Sequence, residues 1–266
     1  MTNAALHVAR TGLDAQSSRM RVIANNLANV NTTGFKRDRA TFETLAYQTM
    51  TAPGAPASAE NRYATGLSLG SGVQMTGTAR VNSQGALATT DNPLDLAIEG
   101  DGFFQVTMPD GTIGYTRSGN FNLSAEGQIV TSDGMPIQPA IQVPEGAQTI
   151  TVGADGTVSA QLAGETEPTE LGRIELARFI NPSGLAAKGG NIFTETAASG
   201  APQVGPAALD GRGSIRQGML EGSNVRPILE ITRMVEVSRA YEQTAKMMDS
   251  EAELSRRTVE RLGRVQ

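Results

Sequence analysis

Cysteine and tryptophan are absent from the 266 residues, and histidine occurs once. Without cysteine there are no disulfides, no thiolate metal sites and no cysteine nucleophile. A single histidine, His7, cannot build a typical zinc site, and no Ser-His-Asp arrangement can be drawn around it. Aromatic residues make up only 4% and hydrophobic residues 39%, against 30 glycines. So thin a supply of large core-formers points to an elongated or turn-rich fold rather than a thick globule. No apolar run approaches the roughly 18 residues of a membrane span. The opening MTNAALHVAR lacks the apolar centre, about 7–15 residues long, of a secretory signal. Passage out of the cytoplasm is therefore expected to use a route without a cleavable leader.

Catalytic signals are equally sparse. The glycine-rich stretches GSGVQMTG and GRGSIRQG have neither the spacing of a dinucleotide-binding turn nor a Gly-Lys-Ser/Thr ending. Acids cluster at Asp91, Asp95, Glu99 and Asp101. A carboxylate pair held roughly 5–9.5 Å apart could serve glycoside hydrolysis. The Asn92-Pro93 and Asp101-Gly102 contexts instead read as turns whose acids make local hydrogen bonds. The cluster also misses the calcium-loop pattern. The reading is therefore of a protein that is not an enzyme, with no catalytic, cofactor-binding or metal residues and no cofactor.

The net charge of −5 is unevenly spread. Residues 1–40 hold six bases and two acids, residues 41–220 eight bases and seventeen acids, and residues 221–266 eight of each. An acidic middle argues against nucleic acid as a partner.

Strong periodicity occurs at the two ends. Leu6, Leu13, Met20 and Leu27 share one heptad position, and Ala9, Gln16, Ile23 and Val30 share another, which makes an a/d seam. Gly34 then offers a stop. Towards the other end, Asn224 can cap a helix and Pro227 suits its first turn. The seam there runs Ile231, Met234, Ser238, Tyr241, Ala245, Met248, Ala252, Ser255, Val259 and Leu262. Ile228, Leu229, Val235, Val237, Met247 and Leu254 lie off it, so the apolar face is wider than one partner helix needs. Packing against further copies of the same chain accounts for that width.

Between the ends, five Asp-Gly pairs (at 101, 110, 133, 155 and 210) separate short β-type stretches such as LDLAI, GFFQVTM and QTITV. The fold class is α+β. The N- and C-terminal α-helices pair as a coiled coil, and an extended β connector leads to a central, mainly antiparallel β domain. The expected divisions are an N-terminal helix in 1–40, a connector or β-hairpin in 41–80, a β-rich outer domain in 81–217 and a C-terminal helix in 218–266.

GLDAQSSRMRVIANNLANVNTTGFKR (12–37) resembles the N-terminal signature of the bacterial flagellar axial proteins, the rod and hook proteins, and MVEVSRAYEQTAKMM (234–248) resembles their C-terminal one. NPLDLAIEGDGFFQV (92–106) and YTRSGNFNLSAEGQIVTSDGMPIQP (115–139) are similar to the β domain of that family. RATFETLAYQTMTAPGA (39–55) and GLSLGSGVQ (66–74) resemble its distal-rod branch, with a proximal rod or hook protein as the alternative. The resemblance implies a helical homopolymer in the basal body, reaching from the periplasm to the outer membrane. Its partners would be proximal rod proteins, the hook protein, the P-ring and L-ring proteins and the flagellar type III export apparatus. The polymer would be a tubular drive shaft that transmits motor torque. A periplasmic β enzyme acting on glycan and a generic coiled-coil adaptor are readings of other classes.

On this view the subunit interface is the seam Leu6, Leu13, Met20, Ile23, Leu27, Val30, Ile231, Met234, Tyr241, Met248, Val259 and Leu262. Asn25, Asn26, Asn29 and Asn31 flank the first seam. Asparagine is a poor helix former, so four at one helix end are expected to fix register by bonding to neighbouring copies.

Overall fold

The computed structural model describes residues 2–56, 61–163 and 167–263. The chain forms two compact units. The first gathers residues 1–27, 38–79 and 227–266, and the second residues 28–37 and 80–226.

In the first unit, helix α1 spans Thr2–Ala28. Strands β1 (Asp38–Thr44), β2 (Tyr47–Thr51), β3 (Leu67–Gly70) and β4 (Val73–Arg80) make a long hairpin in two stages, β2 pairing antiparallel with β3 and β1 pairing with β4. Helix α2 spans Pro227–Gly263. Where β3 turns into β4 the hairpin is tied to α1: Thr11 Oγ1 accepts the Val73 N–H at 3.3 Å. Gly72 lies there with φ +114°, and a Cβ on it would fall 2.2 Å from that oxygen. The two helices approach where Gly12 faces Thr244, an added methyl lying 4.0 Å from Thr244 Cγ2. Ala15, Ile23 and Val237 are this unit's buried hydrophobic residues among those described.

The helix expected in 1–40 stops at Ala28. Asn29, Val30 and Asn31 begin a turn in which Thr32 N–H bonds to Asn29 C=O and Phe35 N–H to Thr32 C=O. Gly34 takes φ +67° against the backbone of Arg117, 2.6 Å from where a Cβ would sit. Val30 is therefore not a helical seam position: the Asn/Thr/Gly run that follows favours turn backbone over helix.

The second unit is built from short strands. In chain order they are β5 (Leu87–Thr89), β6 (Leu96–Glu99), β7 (Phe103–Thr107), β8 (Ile113–Thr116), β9 (Phe121–Leu123), β10 (Ile129–Thr131), β11 (Ile137–Gln138) and β12 (Ala147–Val152). There follow β13 (Thr157–Leu162), β14 (Thr169–Arg173), β15 (Glu175–Arg178), β16 (Ala186–Gly189), β17 (Ile192–Thr194), β18 (Gln203–Pro206), β19 (Ser214–Gln217) and β20 (Met219–Glu221). The largest sheet runs β16-β17-β8-β7-β15-β18, with β11 also on β7. Its pairings are antiparallel. A three-stranded sheet β12-β13-β14 and three pairs, β9/β10, β6/β19 and β5/β20, complete it.

The core follows from alternation along these strands. Phe104 and Val106 of β7 point to one side, where they join Leu96, Ile98, Phe121, Ile129, Ile137, Ile174, Leu176 and Ile215. Phe103 points to the other and meets Phe179 and Phe193 edge to face at 6.0 and 6.2 Å.

The C-terminal helix begins at Pro227, the residue expected in its first turn, and the segment 218–266 opens with a strand. Met219–Glu221 pairs with Leu87–Thr89 as an antiparallel strand, and Pro227, with no N–H to lose, opens the helix. Asn224 does not cap it. Its Oδ1 accepts the Arg37 N–H at 2.8 Å, and its Nδ2 donates to the carbonyls of Val81 and Ser83 at 2.7 and 2.9 Å.

Candidate assembly interface

The face that α2 covers within the chain is not the seam drawn from the sequence. Val237, placed off the seam, is 1% exposed, while Ile231 is 50% exposed and Tyr241 is also exposed. Met234 and Met248 are half-buried. The covered positions recur at sevens through Glu230, Val237, Thr244 and Glu251, one residue before the predicted row. Glu230 is buried there with its carboxylate accepting from Arg233 at 2.8 Å, which offsets part of its desolvation. A heptad row read from the sequence identifies an apolar stripe but not which edge of it the chain itself covers.

What remains outside is the larger apolar surface. Ile228, Ile231 and Val235, spaced three and four apart, form one exposed flank. Leu229, Met247 and Leu254 form another, since eighteen residues close five full turns. The side chains of Ser255, Val259 and Leu262 lie outside the described residues. On α1, Leu6, Leu13, Met20 and Leu27 are half-buried and Ile23 is buried.

The asparagines divide. Asn26 is 1% exposed, and both ends of its amide are spent inside the chain: Nδ2 donates to Asp38 C=O at 2.8 Å and Oδ1 accepts Asp38 N–H at 2.9 Å. It mimics a strand partner for the first residue of β1, and so cannot reach a neighbouring copy. Asn29 accepts from Thr32 Oγ1 at 3.1 Å, which tightens the turn after α1. Asn25 and Asn31 are exposed.

Sequence reading missed an ionic cluster in the second unit. Glu221 is buried and joins two buried cations: Lys36 Nζ at 2.5 Å from Oε1 and Arg117 Nη1 at 3.2 Å from Oε2. Gly85 N–H also bonds to Oε1 at 2.8 Å, and Lys36 donates to Ser83 C=O at 3.0 Å. Burial pushes the Lys36 ammonium below its ordinary 10.5, only partly offset by Glu221. Burial lowers Arg117 likewise. With Asn224, and with Gly34 N–H on Glu221 C=O at 2.7 Å, the cluster ties residues 34–37, 81–85 and 221–224 together. These lie by three of the four places where the chain enters or leaves the β unit. No local pattern marks three charges so far apart in sequence.

Two acids of the acidic cluster have partners close by. Asp95 is buried and accepts from Asn92 Nδ2 at 3.1 Å, and Glu99 is bound to Arg216 at 2.7 Å. Among the described residues, no group of acids and histidine could hold a metal ion, and no helix is long and apolar enough to cross a membrane.

Three family models match the chain. They describe a flagella basal body rod protein over residues 6–36, the flagellar hook protein FlgE/F/G D1 domain over 97–160, and the flagellar basal body rod FlgEFG protein C-terminal region over 216–261. The flagellar basal-body rod protein FlgG of Buchnera aphidicola subsp. Acyrthosiphon pisum is 46% identical over 245 residues, 92% of this chain and 94% of that relative. FlgG of Caulobacter vibrioides is 43% identical over 247 residues, with the same coverages. The basal-body rod protein FlgF of C. vibrioides is 41% identical over 248 residues, 92% of this chain and 91% of the relative. With the signatures at both ends, the β domain between them and similarity over nearly the whole length, the chain belongs to the flagellar basal-body rod protein family.

Proposed function

We propose that the chain is the structural subunit of the flagellar distal rod. Copies polymerise into a helical tube that carries motor torque to the hook and turns inside the P and L rings. The observation that carries this reading is the double apolar flank of α2. Ile228, Ile231 and Val235 on one side and Leu229, Met247 and Leu254 on the other stay exposed on a helix whose third face is already covered. A single exposed flank would suit a dimer, whereas two flanks call for neighbours on both sides, as in a polymer.

In the assembled tube α1 and α2 form the inner layer, paired as a coiled coil through Leu6, Leu13, Met20, Ile23 and Leu27 with Met234 and Met248. Ile231 and Tyr241 face other copies. The β unit and the two-stage hairpin lie outside them. Asn25 and Asn31, both exposed, make polar contacts between subunits. The proximal rod, hook and ring proteins are its neighbours in the basal body, from the periplasm to the outer membrane. It is delivered by the type III export apparatus without a cleavable signal, and its role is mechanical rather than enzymatic.

Electron microscopy of the concentrated protein tests this. Tubes, and loss of tubes on Ile231→Ser with Val235→Ser, are expected. Discrete compact particles at every concentration, with α2 amides fully protected from exchange in dilute solution, would overturn it.

A further inference from the structure

One cleft in the β unit has a surplus of positive charge among the described residues. It encloses about 140 Å³ and is lined by Lys36, Arg117 and Arg178 on one hand and by Phe103, Phe179 and Ile180 on the other. Asp101 is the one acid on its wall, and Glu221 lies behind it, bridging Lys36 and Arg117. Three cations thus face two carboxylates.

The three cations are unequally satisfied. Lys36 and Arg117 share a single buried carboxylate, their other acceptors being backbone carbonyls, and Arg117 Nε is buried without any hydrogen bond. The Arg178 side chain makes no hydrogen bond or ion pair among the described residues. Its guanidinium is nonetheless given room: a Cβ on Gly211 would come within 3.2 Å of Nη1. A planar fork with free donors suits a carboxylate better than a spherical ion. The aromatic and aliphatic wall, with Ile180 82% exposed at its rim, suits the short apolar stem behind such a group.

We propose that this cleft is a carboxylate-binding site, with Arg178 as the gripping residue and the Lys36–Arg117–Glu221 cluster supplying the positive field. The carboxylate comes from an acidic side chain of a second copy or from a free organic acid. Only the first source rests on the rod reading. The acidic excess over residues 41–220 gives a second copy many such side chains to offer.

The test uses the full-length chain and acetate as the probe. In the first arm, the arginine Nε–Hε signals are followed by NMR during titration with sodium acetate, against sodium chloride at matched ionic strength. A saturable shift at Arg178 with acetate, not reproduced by chloride and abolished by Arg178→Gln, is expected. In the second arm, polymerisation is compared between the parent chain and Arg178→Gln, after confirming equal thermal unfolding. If a second copy supplies the carboxylate, the concentration needed for assembly rises about tenfold, the counterpart of one charge-assisted contact. A saturable acetate shift with unchanged assembly assigns the site to a free acid. Equal shifts with chloride, or none, together with unchanged assembly, overturn the site. A parent chain that never polymerises counts against the rod reading alone, and the acetate titration then decides the cleft by itself.

Discussion

The two units of this chain solve the burial problem in opposite ways. The β unit closes on itself: Phe104, Leu176, Ile174 and Ile137 are fully buried, and the rings of Phe104 and Phe121 meet edge to face at 5.1 Å. The helical unit leaves most of its large apolar side chains outside, from Tyr47, Met50 and Leu67 on the hairpin to Ile228 and Met247 on α2. Its composition is no less apolar. Each helix has one stripe to bury and each two-stranded ribbon has two faces, and neither has a layer of its own to cover the remainder. One unit buries its large apolar side chains within the molecule, while the other keeps many of them exposed.

The largest test of that contrast lies in the β core. Phe104→Ala removes a fully buried ring and should cost about 3–5 kcal/mol, read as a lower denaturation midpoint of the isolated chain. If the helical unit is as weakly held as its exposure implies, circular dichroism of α1 and α2 should already be lost at denaturant concentrations well below that midpoint in the parent chain. A single coincident transition for helix and sheet signals would break the distinction.

Next comes the ionic cluster. Glu221→Gln leaves Lys36 and Arg117 buried side by side without the carboxylate that bridges them, and about 3–5 kcal/mol should be lost. A pH dependence separates this from simple loss of packing. The folded-state pKa of Lys36 lies below its unfolded value of 10.5, so between the two the unfolded chain binds more protons. Stability should therefore rise as pH increases through that interval, from this group alone. Burial raises the pKa of Tyr115 above 10.0 and works the other way, since the folded chain then holds the proton longer. The difference between the pH profiles of the parent and Lys36→Met cancels the tyrosine contribution. It should show the rise only in the parent.

A smaller effect is expected at the helix-to-hairpin corner. Asn26→Ala removes two part-buried hydrogen bonds to the Asp38 backbone, at a cost of about 1–3 kcal/mol. Hydrogen exchange at the Asp38 amide should accelerate while exchange in β7 and β15 stays as it was. Acceleration in both would mean that the two regions open together.

How much of this was legible beforehand depends on how local the cause is. Helices at both ends followed from heptad spacing, and the turns from Asp-Gly pairs. Asp110 and Asp155 confirm the chemistry: each carboxylate accepts from the hydroxyl and N–H of the threonine two residues on, which holds it below the ordinary carboxylate range. Asn26 was singled out for the right reason, that an amide in a helix needs partners, but its partner is twelve residues away in the same chain. Lys36, Arg117 and Glu221 could not be joined from sequence at all, because strands paired across the whole β unit bring them together. Val237 shows the same limit in one helix. Its place on an apolar stripe was plain, whereas the choice between it and Ile231 as the covered residue depends on a tertiary contact.

The smallest expected effect on the isolated chain is also the sharpest on the comparison. Ile228 is 83% exposed and Val235 is also exposed, so Ile228→Ser with Val235→Ser removes almost no apolar area that the single molecule buries. Its unfolding free energy should change by no more than about 0.5 kcal/mol, the usual range for surface substitutions. In a polymer the same side chains are covered by a neighbour, and each forfeits about 1.5–3 kcal/mol when burial is complete. That penalty recurs at every subunit, so assembly followed by light scattering should fail at concentrations where the parent polymerises fully. A variant that lost stability in dilute solution would show that the flank is covered within one molecule. A variant that kept both stability and assembly would move the subunit contact to the other flank, Leu229, Met247 and Leu254.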